Sequence, residues 1–358
     1  MTDRIRAPGG ETPHPILLRR RALGWTQDEL ASRAGVPRST VSAIEGQRLT
    51  PSVVAALALA RALRLPVEQL FADGAAAPCS WAWAPPSARA RFWRAEVVGR
   101  TWLYPAELTH NPTLEHDGVA PLEQPVGRGP ADPSATLVLA GCDPAMGLLA
   151  SCLARVSGFR VLAFQRGGAA ALELLATGRV HVAALHRSTP DDSDRNARTI
   201  RARMGSPCRL LRVAEWETGI ALAKHSRRRS LESCRRGIRS WAVREAGSAA
   251  HECLEELLGR PPAKGRTWRS HAAVAEAVQQ GFAEAGICVR ISAEEAGLPF
   301  VPVRRESLDL CFPEALEDDP RVQALIRLLG SREHRDRLRD LPGYDVTHTG
   351  DLQSVGSP

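Results

Sequence analysis

The sequence predicts a multidomain chain in which a small all-α bundle precedes a larger α/β domain of two lobes. Apolar residues recur at helical spacing over residues 16–71, whereas short apolar strands alternate with helical segments after Ser134. A length of 358 residues is also too great for the bundle alone. The remainder requires a second hydrophobic core of about 200 residues.

The first domain, residues 13–72, is predicted to be a compact bundle of five helices. Each segment has apolar residues at a helical period. The predicted helices are residues 16–23, 26–34, 38–46, 51–63 and 66–71.

The second and third of these helices carry the strongest local signal. Thr26 is a good N-cap, and Gly35 ends the second helix. Val36-Pro37 cannot continue that helix, so a new amphipathic helix begins at Arg38. Val41 and Ile44 are predicted to face inward. Short polar side chains face outward and can reach base edges, namely Arg38, Ser39, Thr40 and Ser42.

Residues 13–72 resemble the Cro/repressor (Xre) family of helix-turn-helix domains in the helix pattern, the Thr26-Gln27 opening and the Glu45-Gly46 close. The resemblance implies binding to the major groove of a double-stranded DNA operator. It places Gln27 and Arg48 beside the phosphate backbone and Ala43 against a thymine methyl. It places the remaining recognition residues over the base edges, namely Arg38, Ser39, Thr40 and Ser42. The alternative is a helical bundle that binds only protein.

Charge agrees with the DNA interpretation but does not establish it. Eight arginines and four acidic residues give residues 13–72 a net charge of +4. The whole chain has a formal net charge of +7 and a pI near 9.3. Arginine supplies nearly all of the basic residues, which a GC-rich coding sequence explains equally well, so total charge is weak support for DNA binding.

Residues 73–133 are predicted to form a proline-rich connector with a β-hairpin at residues 91–104 that turns near Val98-Gly99. Aromatic side chains that stack on nucleic-acid bases are one interpretation of its tryptophans. Docking onto the next domain is favoured, because the tryptophans form no repeated platform. These tryptophans are Trp81, Trp83, Trp93 and Trp102.

Residues 134–350 are predicted to form two α/β lobes around a parallel sheet, because strands alternate with helices. A cleft between the lobes is the expected ligand site. The predicted strands are residues 136–140, 161–164, 181–185, 210–213, 219–223, 240–243, 285–289, 300–303 and 308–312. The predicted helices begin at residues 144 and 169, lie near residue 196 and span 248–258 and 271–280, with two more after residue 312.

This region resembles the periplasmic-binding-protein superfamily, and most closely the solute-binding-like domain often found behind a helix-turn-helix and related to molybdate-binding proteins. The resemblance covers about residues 136–350. It implies a small solute in the cleft, with an oxyanion such as molybdate or tungstate as the narrower alternative. It rests on residues 140–145, 178–186, 244–248, 285–287 and 343–345.

Candidate ligand-binding residues follow from the rule that such sites lie where strands end and helices begin. Ser248 and the N–H groups after it, with the charge of Arg244, predict an oxyanion contact. The alternative is that Ser248 only caps its own helix and Arg244 pairs with a carboxylate. At Gly167-Gly168 the backbone either approaches a ligand closely or forms a plain turn.

A second group of candidates surrounds the Cys142-Asp143-Pro144 segment. Asp143 either caps a helix that begins at Pro144 or accepts a hydrogen bond from the ligand, and capping is favoured. His186 ends a predicted strand and either faces the cleft or is structural. Tyr344 either donates into the cleft or packs between the lobes.

The sequence predicts no metal site, no cofactor and no catalysis. The eight cysteines form no Cys-x-x-Cys pair and have no histidine at ligand spacing, so they are interpreted as small buried apolar residues. No recognisable motif joins a nucleophile to a base. An uncharged apolar N-terminal segment is absent too, so no signal peptide, no membrane contact and a cytoplasmic location are expected.

Together these features predict a one-component transcriptional regulator that acts as a homodimer, because related domains read paired half-sites. A small solute in the cleft would change the DNA affinity. One alternative is a dedicated molybdate or tungstate sensor. The other is an intracellular solute-binding protein whose helical domain docks to protein.

Overall fold

The computed structural model describes residues 14–63, 65, 67–71, 79–107, 114–120, 131–262 and 266–356. The chain divides into two compact units, Met1–Cys79 and Ser80–Pro358, and each is described by itself. The domain limits predicted at residues 13, 72 and 73 lie outside the described residues, as does Pro66 at the start of the fifth predicted helix.

The first unit contains the predicted helices around one apolar core. The helices are α1 (Pro15–Ala22), α2 (Gln27–Ala34), α3 (Arg38–Glu45), α4 (Val53–Leu63) and α5 (Val67–Phe71). Every helix contributes at least one buried side chain to the core. The largest contributors are Ile16, Leu30, Val41, Ile44, Leu59, Leu63 and Leu70.

The turn between α2 and α3 follows from its local sequence. The Thr26 hydroxyl accepts the Glu29 N–H, and the Glu29 carboxylate accepts the Thr26 N–H, which forms a capping box. Gly35 ends α2 at a φ of +64°, where a side chain would be strained. The second helix of the motif therefore begins only three residues later, at Arg38.

The second unit begins with a small sheet whose strands lie in the order β1-β3-β2-β4. Its strands are β1 (Ser80–Trp81), β2 (Arg91–Val97), β3 (Arg100–Pro105) and β4 (Gly118–Val119). Strands β2 and β3 form an antiparallel hairpin, with Val98 and Gly99 both at positive φ in the turn. Trp102 Nε1 and Tyr104 Oη donate to the carbonyls of Gly178 and Arg179. The aromatic residues thus attach this sheet to the α/β domain.

The remaining strands form a large mixed sheet with the order β10-β9-β11-β8-β12-β7-β5-β6, to which β13 and β14 add on β8. The strands are β5 (Thr136–Gly141), β6 (Arg160–Gln165), β7 (Val182–Ser188), β8 (Cys208–Leu222), β9 (Trp241–Arg244), β10 (Thr267–Trp268), β11 (Ala285–Val289), β12 (Phe300–Pro313), β13 (Tyr344–Asp345) and β14 (Leu352–Val355).

Helices cover both faces of this sheet. They are α6 (Met146–Ser157), α7 (Gly168–Ala176), α8 (Arg195–Arg201), α9 (Leu231–Gly237), α10 (Ala249–Leu258), α11 (His271–Gln279), α12 (Arg290–Glu295), α13 (Pro320–Gly330) and α14 (Arg332–Arg339). Strands β5, β6 and β7 are parallel to one another, as are β9, β10 and β11. The sequence predicted a parallel sheet. That prediction is wrong at the centre of the sheet, where β8 and β12 run antiparallel to their neighbours.

Strands β8 and β12 join the two lobes. Each was predicted as two short strands, but each is one continuous strand. Strand β8 pairs with β14 at its start and with β11 at its end. Strand β12 pairs with β8 along its length and with β7 toward its end. Charged residues interrupt the apolar pattern at residues 215–217 and 304–306, which is why the sequence pattern divides there. These residues lie where the strands pass from one lobe to the other.

Each lobe has its own apolar core on both faces of the sheet. In the first lobe, β5, β6 and β7 pack against α6, α13 and α14 on one face and against α7, α8 and the hairpin on the other. In the second lobe, β9 and β11 pack against α9 and α10 on one face and against α11 and α12 on the other. The two predicted lobes are therefore confirmed. Among the described residues, no helix has both the length and the apolar character needed to cross a bilayer.

Candidate functional site

The outward face of α3 is the first candidate site. Val41 and Ile44 are buried in the bundle, as predicted. The residues predicted to face DNA all retain exposed surface. Arg38, Ser39 and Arg48 are exposed, and Thr40, Ser42 and Ala43 are partly exposed.

A buried ion pair fixes the position of this helix. Arg20 Nε and Nη2 donate to the two carboxylate oxygens of Glu45 at 2.6 and 2.9 Å. Burial alone would raise the pKa of Glu45, but its bonds to Arg20 and Gln27 lower it below its usual value. The Gln27 amide, which the Xre resemblance places beside a phosphate, donates to Glu45 at 2.8 Å. One of its N–H groups is therefore used within the domain.

The second candidate site lies between the two lobes of the α/β unit. Cys142 follows β5 and His186 lies on β7, and the distance from Cys142 Sγ to His186 Nε2 is 2.9 Å. The other ring nitrogen of His186, Nδ1, lies 2.7 Å from Glu306 Oε2. All three residues are at least 96% buried.

Glu306 lies on β12 at the crossing between the lobes and accepts several hydrogen bonds. Its donors include Thr218 Oγ1 at 2.9 Å and Arg304 Nε at 2.7 Å. Burial would raise the pKa of Glu306, but the charges of His186 and Arg304 lower it to about 2. Burial would likewise lower the pKa of His186, but Cys142 and Glu306 raise it to about 10. The cluster is thus a charge-compensated network within the protein interior.

Arg244 enters the same region from the end of β9. Its Nε and Nη2 donate to the Glu245 carboxylate, both at 2.9 Å, while Nη1 is buried and makes no hydrogen bond of good geometry to the described residues. Burial alone would lower the pKa of Arg244, but its interactions with Glu245 and Cys142 raise it. The guanidinium therefore lies beside the Cys142 thiol.

The oxyanion pocket predicted at residues 244–249 is largely occupied by the protein itself. Ser248 Oγ accepts the His251 N–H and donates to the Glu245 carbonyl, so it caps α10. Glu245 holds two of the Arg244 donor groups. Of the two interpretations of these residues, the structure favours capping and ion pairing.

His271, the first residue of α11, was not predicted as a site residue. It is fully buried, and within the described part of the chain neither of its ring nitrogens has a hydrogen-bond partner. Its ring centroid lies 5.6 Å from that of His186. The nearest donor atoms of Cys142, His186 and His271 all lie within 4.8 Å of one another. The absence of a histidine at ligand spacing in the sequence therefore did not exclude two histidines beside Cys142 in the fold.

Asp143 and Tyr344 meet beside this cluster. The Tyr344 hydroxyl donates to Asp143 Oδ1 at 2.5 Å, and the same oxygen accepts the Ala145 N–H at 2.8 Å. Burial raises the pKa of Asp143, although both of these hydrogen bonds lower it. The helix predicted to begin at Pro144 begins at Met146, so Asp143 stabilises the preceding turn rather than serving as the N-cap of α6.

Gly167 and Gly168 lie at the start of α7 on the first lobe. A Cβ atom at Gly167 would lie 2.9 Å from Glu245 Oε1, which belongs to the second lobe. The two lobes therefore approach each other closely at this glycine. Gly168 faces Leu185 of its own lobe, so a Cβ there would meet the lobe interior instead.

An outer cavity of about 730 Å³ opens at the same place. Residues from the small sheet and from both lobes line it, including Trp83, Glu107, Arg166, Gly167, Glu245 and Ser270. Arg166 bonds to Glu107 at 2.5 Å and lies over the Trp83 ring. The cavity lies on the solvent side of Gly167 and Glu245.

Comparison with known proteins identifies both units. A PBP superfamily domain matches residues 150–330, half of the chain. The chain belongs to the PBP superfamily. A helix-turn-helix domain matches residues 16–70, which shows that the first unit is of the Xre type, as the sequence predicts.

Two curated relatives match different parts of this PBP superfamily chain. The uncharacterized protein YvgK of Bacillus subtilis is 25% identical over 224 residues, which is 60% of this chain and 72% of YvgK. An uncharacterized HTH-type transcriptional regulator of Methanothermobacter thermautotrophicus is 49% identical over 53 residues, 14% of this chain and 77% of that protein.

Solved structures that resemble the PBP superfamily domain include an ABC-type phosphate transport receptor from Vibrio cholerae. It is 14% identical, with a TM-score of 0.42, and covers 59% of this chain and 99% of its own. Peb3 from Campylobacter jejuni is 16% identical with a TM-score of 0.42, covering 58% of this chain and 99% of its own.

Sequence reasoning missed His271 and Glu306 in the PBP superfamily domain. His186 and Glu306 are separated by 120 positions in the chain. Neither missed residue belongs to a local motif. The available signal was indirect, since Glu306 interrupts an apolar strand pattern and His271 follows a serine N-cap.

Proposed function

We propose that the chain is a solute-responsive transcriptional regulator. Its helix-turn-helix binds a double-stranded DNA operator, and a small solute bound between the lobes of the PBP superfamily domain changes the DNA affinity. The observation that carries the proposal is the buried interlobe cluster, in which Arg244 Nη1 and both ring nitrogens of His271 make no hydrogen bond to any residue that the structure describes.

Unpartnered polar atoms that are gathered between two lobes support a ligand site there. A buried donor or acceptor without a partner costs about 1–3 kcal/mol, so such groups are uncommon in native proteins. Cys142 and His186 come from the first lobe, whereas Arg244 and His271 come from the second. A solute that satisfies these atoms would therefore hold the two lobes together.

We propose further that the protein acts as a homodimer in the cytoplasm, where it can bind the operator DNA. A single helix-turn-helix reads a short half-site, and related domains gain specificity by reading two half-sites about one helical turn apart. Lobe closure would alter the pairing of two such domains. Solute binding and DNA binding are then coupled, because the two states of the dimer differ in their affinity for the solute.

We also propose that the chain is a sensor rather than an enzyme. Cys142, His186 and Glu306 have the order of a nucleophile, a base and an orienting carboxylate. The Cys142 side chain is, however, only 2% exposed. The unpartnered atoms of His271 and Arg244 are explained by a bound solute and have no role in such a triad.

Replacing Arg38 tests the DNA-binding half of the proposal. Operator sequences are first selected from random duplexes with the full-length protein. Arg38→Ala should then weaken binding to a selected duplex by about 5- to 150-fold, because a good base contact contributes about 1–3 kcal/mol. Gel-shift titration at fixed salt measures the affinity.

Arg61→Ala is the matched control, since Arg61 is exposed on α4 and carries the same charge. Its selected-site affinity should stay close to that of the wild type. Equal affinities of wild type and Arg38→Ala would contradict the proposed recognition surface. Solute binding without any sequence-specific DNA binding would favour an intracellular solute-binding protein whose helical domain docks to protein.

An oxyanion such as molybdate or tungstate is the second candidate for the solute. The buried Arg244 Nη1 donor supports it. Thermal-shift titrations with molybdate, tungstate and sulfate test this candidate. Stabilisation by none of the three would exclude these oxyanions.

A further inference from the structure

We propose that Cys142, His186 and His271 form a binding site for a transition-metal ion that prefers thiolate and imidazole ligands, with Zn²⁺ as its representative. This inference rests on the proposed function, because the ion would be the solute, or part of the solute, that the lobes enclose. No metal-ligand motif in the sequence predicts the site. The fold creates it by bringing three distant residues together.

The positions of the three donor atoms fit one shared ion. Zn²⁺ lies about 2.3 Å from a cysteine sulfur and about 2.0–2.1 Å from a histidine nitrogen, so the tetrahedral ligand atoms of one cysteine and two histidines are roughly 3.3–3.6 Å apart. The donor atoms here lie within 4.8 Å of one another. Binding would widen the 2.9 Å contact between Cys142 and His186 by about 0.6 Å and draw His271 inward by at most about 1.4 Å.

Glu306 supplies the outer contact that histidine ligands of metals usually have. A metal-bound imidazole commonly donates its second N–H to a carboxylate, which fixes the ring and its tautomer. His186 Nδ1 lies 2.7 Å from Glu306 Oε2, so Nε2 is the nitrogen directed at Cys142. Thr218 and Arg304 in turn hold Glu306 in place.

His271 provides the independent observation that a ligand is needed. Its side chain is fully buried, and both ring nitrogens lack hydrogen-bond partners. A buried imidazole in this state has lost its hydrogen bonds to water, and no other hydrogen bonds replace them. Coordination through one ring nitrogen would supply that compensation and would explain why a histidine lies at this position.

Arg244 completes the proposed site without acting as a ligand. An ion held by three protein ligands keeps a fourth position for water or a small anion. The unpartnered Nη1 of Arg244 is near Cys142 and could donate to that fourth ligand. The charge of Arg244 is offset by its pairing with Glu245.

The same observations favour a cation over an oxyanion. Ser248 and two donor nitrogens of Arg244 are engaged within the protein, and the carboxylates Glu245 and Glu306 adjoin the cluster. Each carboxylate is paired with an arginine, Glu245 with Arg244 and Glu306 with Arg304, so their charges are already compensated. A cation with one thiolate and two imidazole ligands is compatible with them.

The proposed ion would link the lobes directly. Cys142 and His186 belong to the first lobe, and His271 begins α11 of the second lobe. Removal of the ion would leave the lobes without this link. Metal occupancy is therefore expected to control closure.

Titration of the full-length protein with Co²⁺ and Zn²⁺ tests the site. After chelation and dialysis, one Co²⁺ per chain should bind tightly and give a sulfur-to-cobalt charge-transfer band. Cys142→Ser should lose that band and weaken binding by more than about tenfold. Cys152→Ser is the matched control, because Cys152 is also buried but lies on α6 away from the cluster.

His271→Leu keeps the test informative even if Cys142→Ser folds poorly. Without metal, its thermal stability should equal or exceed that of the wild type, because an unsatisfied buried polar group is removed. With Zn²⁺, the wild type should show an increase in Tm that His271→Leu does not show. This pair of results would support coordination by His271.

Equal Co²⁺ affinity and an unchanged band in Cys142→Ser and His271→Leu would overturn the proposal. Stabilisation by molybdate without any response to Zn²⁺ or Co²⁺ would also overturn it, while leaving the proposed regulator intact. If the metal binds as described but operator affinity is the same with Zn²⁺ and with chelator, the metal site is supported and the proposed regulation by this solute fails.

Discussion

At the scale of single residues, buried histidines in this protein differ by how many of their nitrogens are satisfied. His181 Nδ1 accepts the Val138 N–H at 3.0 Å, and its Nε2 lies 3.0 Å from the Glu96 carbonyl. The neutral ring thus joins the first lobe to the hairpin. Burial lowers the pKa of His181 to about 3. His271 has the same burial but neither contact, and it differs from the equally buried His334 in that its ring faces Cys142 and His186.

Acid should therefore destabilise the fold through His181. The unfolded chain binds a proton below its ordinary pKa of about 6.5, while the folded chain stays neutral until about pH 3. The neutral ring therefore makes its full contribution to the free energy of unfolding above about pH 6.5. That contribution decreases as the pH falls toward 3. The slope is about 1.4 kcal/mol per pH unit for this one proton.

Urea unfolding of wild type and His181→Gln at pH 7 and pH 5 measures this effect. The variant should be less stable at pH 7, because its hydrogen bonds are impaired, but its loss between pH 7 and pH 5 should be smaller by about 2 kcal/mol. His348→Gln, at an exposed position, should keep the wild-type pH dependence. An equal pH dependence in all three proteins would rule out this role for His181.

At the scale of elements, the helix-turn-helix and the hairpin were predictable because their signals are local. Thr26, Gly35 and the spacing of Val41 and Ile44 lie within one short segment. Strands β8 and β12 were not recognised as continuous because their polar centre serves the interlobe site. The hydrophobic pattern of a sequence shows which residues are buried within one lobe. It cannot show that a charged stretch continues as a strand into the other lobe.

The hairpin turn contains a local conflict that can be relieved. Val98 has a φ of +50°, which strains a β-branched residue, and its side chain is 66% exposed. Val98→Asn should raise the free energy of unfolding by about 1 kcal/mol, because asparagine tolerates this conformation better. Chemical unfolding measures the change. Val119→Asn, which also alters an exposed valine of this sheet, should give no increase.

The two candidate sites also differ in how far the sequence predicts them. The exposed polar residues of α3 could be predicted as a group because one helix presents them together. The interlobe cluster was predicted only in part, since Cys142 and His186 lie at neighbouring strands, β5 and β7, but His271 and Glu306 come from distant segments. Three-dimensional proximity of residues that are far apart in sequence cannot be inferred from periodicity.

At the scale of the α/β unit, the close approach of Gly167 to Glu245 makes lobe closure testable. A larger side chain at Gly167 would have to displace the Glu245 carboxylate, which Arg244 holds, since a Cβ atom would lie 2.9 Å from Glu245 Oε1 and 4.0 Å from Ser248 Cβ. Overpacking costs about 1–3 kcal/mol. Gly167→Leu should therefore open the cleft and raise hydrogen exchange at residues 165–168 and 244–248 by about tenfold.

Mass-spectrometric hydrogen exchange on the full-length protein measures this opening. Gly147→Leu is the control, because Gly147 is exposed on α6 and a Cβ there meets nothing within 4 Å. Exchange in that variant should match the wild type at both segments. Wild-type exchange in Gly167→Leu would mean that the lobes accommodate the larger side chain without separating.

The two long central strands also make the second lobe an insertion within the first. The chain leaves the first lobe along β8 and returns along β12, and these strands are antiparallel neighbours, with Ala214 opposite Leu308. A short turn could therefore join them if residues between the lobes were excised, and the first lobe would retain an ordinary hairpin. The interlobe pocket takes residues from both lobes, so it can form only after the inserted second lobe and the interrupted first lobe have both folded.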